Sequence, residues 1–181
     1  MLLALLPHLE LHRNPIPREN VATVEHPAMP IEPGIPMQKV VPPRLVEPYL
    51  NGQRAVIAGF VYRAQDSAFQ HPVDLYDALD LGYDGSEFVP DMPEVYVIRW
   101  LAREMDSYLV PYSSQMGGDW RDKPPFTGSG FTSSRVHSVA EFYTEPISIP
   151  AGAEMYRITP AGEGFVAQYD GRVWLTPPRE G

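Results

Sequence analysis

The period of apolar and polar positions changes several times along this chain, and each change marks an element. Residues 55–63 form a near-continuous apolar run that stops on Arg63, the pattern of a buried strand. Over 72–81, Val73, Tyr76 and Leu79 recur at helical spacing behind Pro72, which suits a first helical turn. Residues 94–101 are dense in β-branched and aromatic side chains and predict the clearest strand. Residues 147–149 and 154–159 predict two more. At the end, 165–169 and 172–175 flank Asp170-Gly171, a pair preferred in two-residue hairpin turns. Residues 136–143 predict a helix of about two turns. Residues 113–130, with four glycines and two prolines, predict a long surface loop. The class is α+β, mostly antiparallel, with no internal repeats.

Proline redraws the first quarter of this picture. Ten of the 21 prolines lie within the first fifty residues. Each removes a backbone donor and turns the preceding residue away from helix, so this segment reads as extended or irregular. Ile31, Ile35, Met37, Val40, Val41 and Leu45 are interspersed, which suits a segment lying against another surface. The expected organisation is a Pro-rich arm over 1–48 and a folded domain over 49–181.

Composition narrows the function classes. A length of 181 residues supports one domain with a sizeable core. The net charge of −9 argues against a nucleic-acid partner, because residues 66–106 set ten acidic side chains against Arg99 and Arg103 alone. With no cysteine, neither disulfides nor thiolate metal sites can form. The spacing His8-x-x-x-His12 has no third ligand nearby, so no metal is expected. The opening Met1-Leu2-Leu3-Ala4-Leu5-Leu6 lacks a basic leader and is cut by Pro7, and no later run reaches the ~20 apolar residues of a membrane span. No cellular address is written in the chain.

Two motifs carry chemistry. The first is Tyr62-Arg63-Ala64-Gln65-Asp66-Ser67, followed by His71-Pro72 and by Leu81-Gly82-Tyr83-Asp84-Gly85. A guanidinium held at a strand end can grip a pyrophosphate bidentately. Its plainer role is a salt bridge to Asp66 or Glu87. The second is Phe131-Thr132-Ser133-Ser134. Hydroxyls there can brace a site or cap the helix predicted after them.

In this order the two motifs resemble those of the ADP-ribosyltransferase toxins of the cholera and pertussis type. One extra residue separates Arg63 from Asp66, and no arginine follows Ser67. The resemblance implies two small, mainly antiparallel sheets forming a cleft, with short helices outside. It implies NAD as substrate, cleaved between nicotinamide and ribose, with ADP-ribose passed to a protein. Tyr62, Arg63 and Asp66 would bind the dinucleotide, and Ser133 would brace the site. Residues 113–130 would form a mobile loop near the acceptor. The family also uses a glutamate in a Glu-x-Glu or Gln-x-Glu pair, as a carboxylate steadies the cation in glycosidases. No such pair follows Phe131: Glu141, Glu145, Glu154, Glu163 and Glu180 stand singly. Glu163 and Gln168 both remain candidates, each with a plainer reading as a turn and a strand residue. The resemblance further implies a secreted or delivered toxin or effector, with the arm as tether to a delivery region or partner. Two alternatives stand beside it: an NAD glycohydrolase with no protein acceptor, and a non-enzymatic binding module.

Overall fold

The computed structural model describes residues 31–113, 127–134 and 136–178. His8, His12, Trp120 and most of the expected 113–130 loop lie outside them. Ten elements follow in order: β1 (Pro36–Val41), α1 (Pro43–Leu50), β2 (Val56–Arg63), α2 (Ala64–Ser67), α3 (Pro72–Ala78), β3 (Val95–Leu101), β4 (Phe142–Ser148), β5 (Glu154–Thr159), β6 (Gly162–Tyr169) and β7 (Trp174–Leu175). The strands make one seven-stranded antiparallel sheet in the order β4-β2-β1-β3-β5-β6-β7. The architecture is α+β, as the pattern of residues required.

Apolar side chains alternate onto both faces of the sheet. Met37, Val41, Ile98, Trp100 and Met155 pack on one face with Tyr49 of α1. Val40, Tyr62, Val97 and Ile158 pack on the other with Leu75 and Ala78 of α3. Among the described residues, no helix is long and apolar enough to cross a membrane.

The arm expected over 1–48 needs correction in its last part. Residues 36–41 are a central strand, and α1 follows at once. Pro36 occupies the first strand position and Pro42 falls just after the last, so neither interrupts the ladder to β3. Pro43 then opens α1, where a missing N–H costs nothing. Pro48 lies inside the last turn of that helix. The folded body therefore includes residues 36–48, and residues 1–30 lie outside the description.

Two turn expectations also change. Residues 136–143 are not helical: Phe131 bridges Ala140, Thr132 N–H donates to Val139 at 3.0 Å, and β4 begins at Phe142. The hairpin after β6 spans four residues rather than two, because Tyr169 pairs with Trp174. Asp170 closes it by accepting from the N–H groups of Arg172 and Val173 at 2.7 and 2.8 Å.

One irregularity of the sheet positions everything that follows. β1 meets β2 only at Met37↔Arg63 and Gln38↔Tyr62. The earlier part of β2 instead pairs with β4, from Val56↔Ser148 to Val61↔Phe142, with a bulge between Ile57 and Gly59. The ladder between β1 and β2 thus opens into a fork after these two pairs, and β2 continues on β4 alone. Gly59 sits at the bulge with φ +87°, a conformation that side chains other than glycine's resist.

Candidate functional site

A pocket of about 220 Å³ opens at the fork. Its walls include Lys39 of β1, Tyr62 of β2, Asp80 after α3, and Ser133 and Glu141 from the passage leading into β4. Phe60, Tyr83 and Phe88 supply aromatic surface.

Lys39 is 8% exposed and donates to the Phe60 carbonyl at 3.2 Å, across the gap left by the missing ladder. Among the described residues no carboxylate pairs with it. Burial, aided by the nearby Arg54 cation, lowers its pKa to about 8. A carbon added at Gly59 would stand 3.7 Å from the ammonium, so the backbone angle, not crowding, is what calls for glycine there.

Glu141 is 6% exposed. The nearby Tyr62 hydroxyl favours its charged form, while Oε2 has no hydrogen-bond partner among the described residues. Burial, then the Asp80 charge, raises its pKa to about 7 against the weaker opposing effect of Tyr62. Burial pushes the Tyr62 hydroxyl well up, and the Glu141 charge adds to it. The pocket therefore holds a buried ammonium and a buried carboxyl, and neither is the other's counter-ion.

Asp80 shows how the local sequence builds the site. Helix α3 ends in a Schellman turn: the Leu81 N–H donates to the Tyr76 carbonyl at 3.0 Å, and Asp80 takes the left-handed position with φ +47°. Glycine is the usual occupant there, and aspartate tolerates it at some strain. In exchange the Asp80 carboxylate meets Ser133, whose hydroxyl donates to it in close contact. Next to Ser133, the buried Thr132 donates to the Ala78 carbonyl at 2.8 Å and ties this passage to the end of α3. Glu141 N–H donates to the Gly130 carbonyl at 2.9 Å, so the residue just before the serine motif also fixes Glu141. Gly128 lies against Ser113, where a Cβ would come within 2.6 Å of the serine Cβ. Ser134 does cap, as its plainer reading held, but it caps a turn: it accepts from Val136 and His137 at 3.2 and 3.1 Å.

Of the residues singled out in the sequence, Tyr62 and Ser133 meet in this pocket. Arg63 does not line it; its guanidinium stacks on Phe142 at 5.4 Å. Asp66 lies half-buried in α2, outside the pocket lining. The partner proposed for Arg63 at Glu87 is taken by Arg44. Glu163 is held bidentately by Arg99 at 2.6 and 2.8 Å. Gln168 donates to Glu154 at 3.4 Å. Both lie on β6, which β1, β3 and β5 separate from β2, so neither joins Ser133.

The reading of motifs missed Lys39 and Asp80, and set Glu141 aside as one of several lone glutamates. The available signals were slight. Lys39 is the one charge inside the apolar run Met37–Val41, and Glu141 the one charge inside Val139–Phe142. Asp80 follows a helix where glycine is usual.

No known protein family, curated protein or solved structure matches the chain.

Proposed function

We propose that the fork is an NAD-cleaving site and that the protein is an ADP-ribosyltransferase-like enzyme. The observation that carries this reading is convergence: Tyr62 of the first motif and Ser133 of the second line one pocket although 71 positions separate them in sequence.

The chemistry follows from the groups present. The bond between the ribose anomeric carbon and the pyridinium nitrogen breaks, and its electron pair leaves with nicotinamide, which becomes neutral. The ribosyl cation left behind is steadied by an ionised carboxylate in a site of low dielectric. Glu141 supplies that carboxylate in this reading, in place of Glu163 or Gln168, and Ser133 orients Asp80 beside it. Water or a protein nucleophile then bonds to the anomeric carbon and releases its proton. About 220 Å³ accommodates the reacting ribose and its phosphate, with the rest of the dinucleotide outside.

Nicotinamide release from NAD by the full chain, with a lysate as source of acceptors, tests the reading. Release that is lost in Ser133→Ala and Glu141→Gln, and kept in Glu163→Gln, supports it. No release by the wild-type chain overturns it. Consumption of NAD without labelling of any protein would assign the glycohydrolase alternative.

A further inference from the structure

We propose that Lys39 is the anion anchor of the fork, and that with Glu141 it selects a ligand carrying a phosphate at one end and sugar hydroxyls at the other. The proposal rests on the preceding reading's placement of the ligand in this pocket, and not on the cleavage of NAD.

The argument begins with what each charge lacks. An ammonium has three donors, and the Phe60 carbonyl takes one of those on Lys39. Arg54 stands near enough to repel it, and no carboxylate among the described residues neutralises it. A cation that is 8% exposed and unpaired is held at a net cost unless an anion arrives. Glu141 is the complementary case: buried, close to the Tyr62 hydroxyl, and without a partner at Oε2 among the described residues, an acceptor for a hydroxyl. Asp80 and Ser133 stand beside it, so this wall is rich in acceptors. A molecule with an anion and a hydroxyl donor on opposite ends satisfies both walls together. A volume of about 220 Å³ suits a phosphorylated pentose and excludes a whole dinucleotide.

The fork explains why the anchor is a lysine on β1. Where the ladder between β1 and β2 stops, the strand backbones leave a slot that the Lys39 stem crosses to reach Phe60. Arg63, on the paired part of β2, stacks on Phe142 instead. The other titratable groups facing the pocket are Tyr62, Asp80, Tyr83 and Glu141. None of these is a cation, so the anionic end of the ligand has Lys39 as its lining partner.

Calorimetric titration of the full chain with ribose 5-phosphate, ribose and inorganic phosphate tests the assignment. In the wild-type chain ribose 5-phosphate should bind more tightly than either fragment. Lys39→Met should weaken it by about tenfold or more, the loss expected for one charge-assisted contact, and leave ribose unaffected. Glu141→Gln should weaken both sugars and spare phosphate. Equal binding of ribose and ribose 5-phosphate by the wild-type chain would overturn the proposal, as would full affinity in Lys39→Met. If Lys39→Met does not fold, the wild-type pH profile decides. Affinity for ribose 5-phosphate relative to ribose should fall as pH rises past about 8, where Lys39 loses its charge, and a flat ratio refutes the anchor. Sugar-phosphate binding through Lys39 without nicotinamide release would sink the NAD reading alone. Release that ignores Lys39 would sink the anchor alone.

Discussion

Two polar clusters are built into this sheet, and they differ in what they leave undone. Around Arg99 every polar group meets another. The guanidinium grips Glu163 with two bonds and donates Nε to Gln38 at 2.7 Å, and Gln38 donates onward to the Ser67 carbonyl and hydroxyl at 2.7 and 3.0 Å. Arg99 also stacks over Tyr156 at 4.8 Å. At the fork, by contrast, Lys39 and Glu141 are more deeply buried than Arg99 and yet have no ion pair among the described residues. A closed network ties β1, β3, β6 and α2 together and has no valence left for a ligand. An open one costs stability, which the proposed ligand site would explain.

Substitution should separate the two clusters most sharply. Glu141→Gln should reduce nicotinamide release by about 10²–10³-fold, the scale on which a lost electrostatic stabiliser is felt, while the fold is kept. Arg99→Ala should do the reverse. It orphans Gln38 and Glu163 and should destabilise by about 2–3 kcal/mol, discounted for the partial exposure of the ion pair, with turnover per folded molecule unchanged. Chemical denaturation and steady-state kinetics on both variants check the pair of outcomes. If Arg99→Ala abolishes turnover in folded protein, the comparison is wrong.

Stability against pH sharpens the contrast next. The carboxyl of Glu141 is raised from 4.5 to about 7 in the fold, so the unfolded chain loses this proton first as pH rises. The folded state should therefore lose about 3 kcal/mol as pH climbs between those two values, at roughly 1.4 kcal/mol per pH step of one. Lys39 runs the other way: its pKa falls from 10.5 to about 8, so stability should recover above about 8. The molecule should be least stable between about 7 and 8, and Glu141→Gln should remove the acid-side slope. If release needs Glu141 ionised and Lys39 charged, activity should peak in that same narrow window. A broad activity plateau from about pH 5 to about 10 would separate the two groups from the reaction.

The sequence disclosed the fold better than the site, for reasons that particular residues make plain. Residues 94–101 and 154–159 read correctly because β-branched and aromatic side chains packed on two faces leave one solution. β1 was hidden by proline counted over fifty residues, although Met37–Val41 itself contains none. The false helix over 136–143 arose because a lone chain cannot reveal that Phe131 bridges Ala140. Tyr62 and Ser133 were legible because motifs named them. Glu163 had the right order along the chain, yet β5 and β6 pair at the far side of the sheet, where Arg99 already waits. Lys39 and Glu141 carry no motif; their meaning comes from a ladder that stops after Gln38↔Tyr62.

Backbone strain offers a smaller test of the fork. Gly59→Ala forces a side chain onto φ +87° and should cost about 1–2 kcal/mol, with no steric clash to add to it. Because the bulge sets the slot that Lys39 crosses, the variant should also bind ribose 5-phosphate less well, which titration would reveal. An equivalent change at Gly162, with φ +120° at the start of β6, should destabilise without touching ligand affinity.

Asp80 gives the finest distinction. Its charge is the second cause of the raised Glu141 carboxyl, after burial. Asn tolerates the left-handed position as well as Asp does, so Asp80→Asn should leave the Schellman turn and the overall stability nearly unchanged. It removes the like charge and leaves the burial, so the Glu141 pKa should fall only part of the way back toward an ordinary carboxyl. The acid limb of the nicotinamide-release profile should move to lower pH by the same amount. A limb that stays where it was would mean that the group titrating in the reaction is not Glu141.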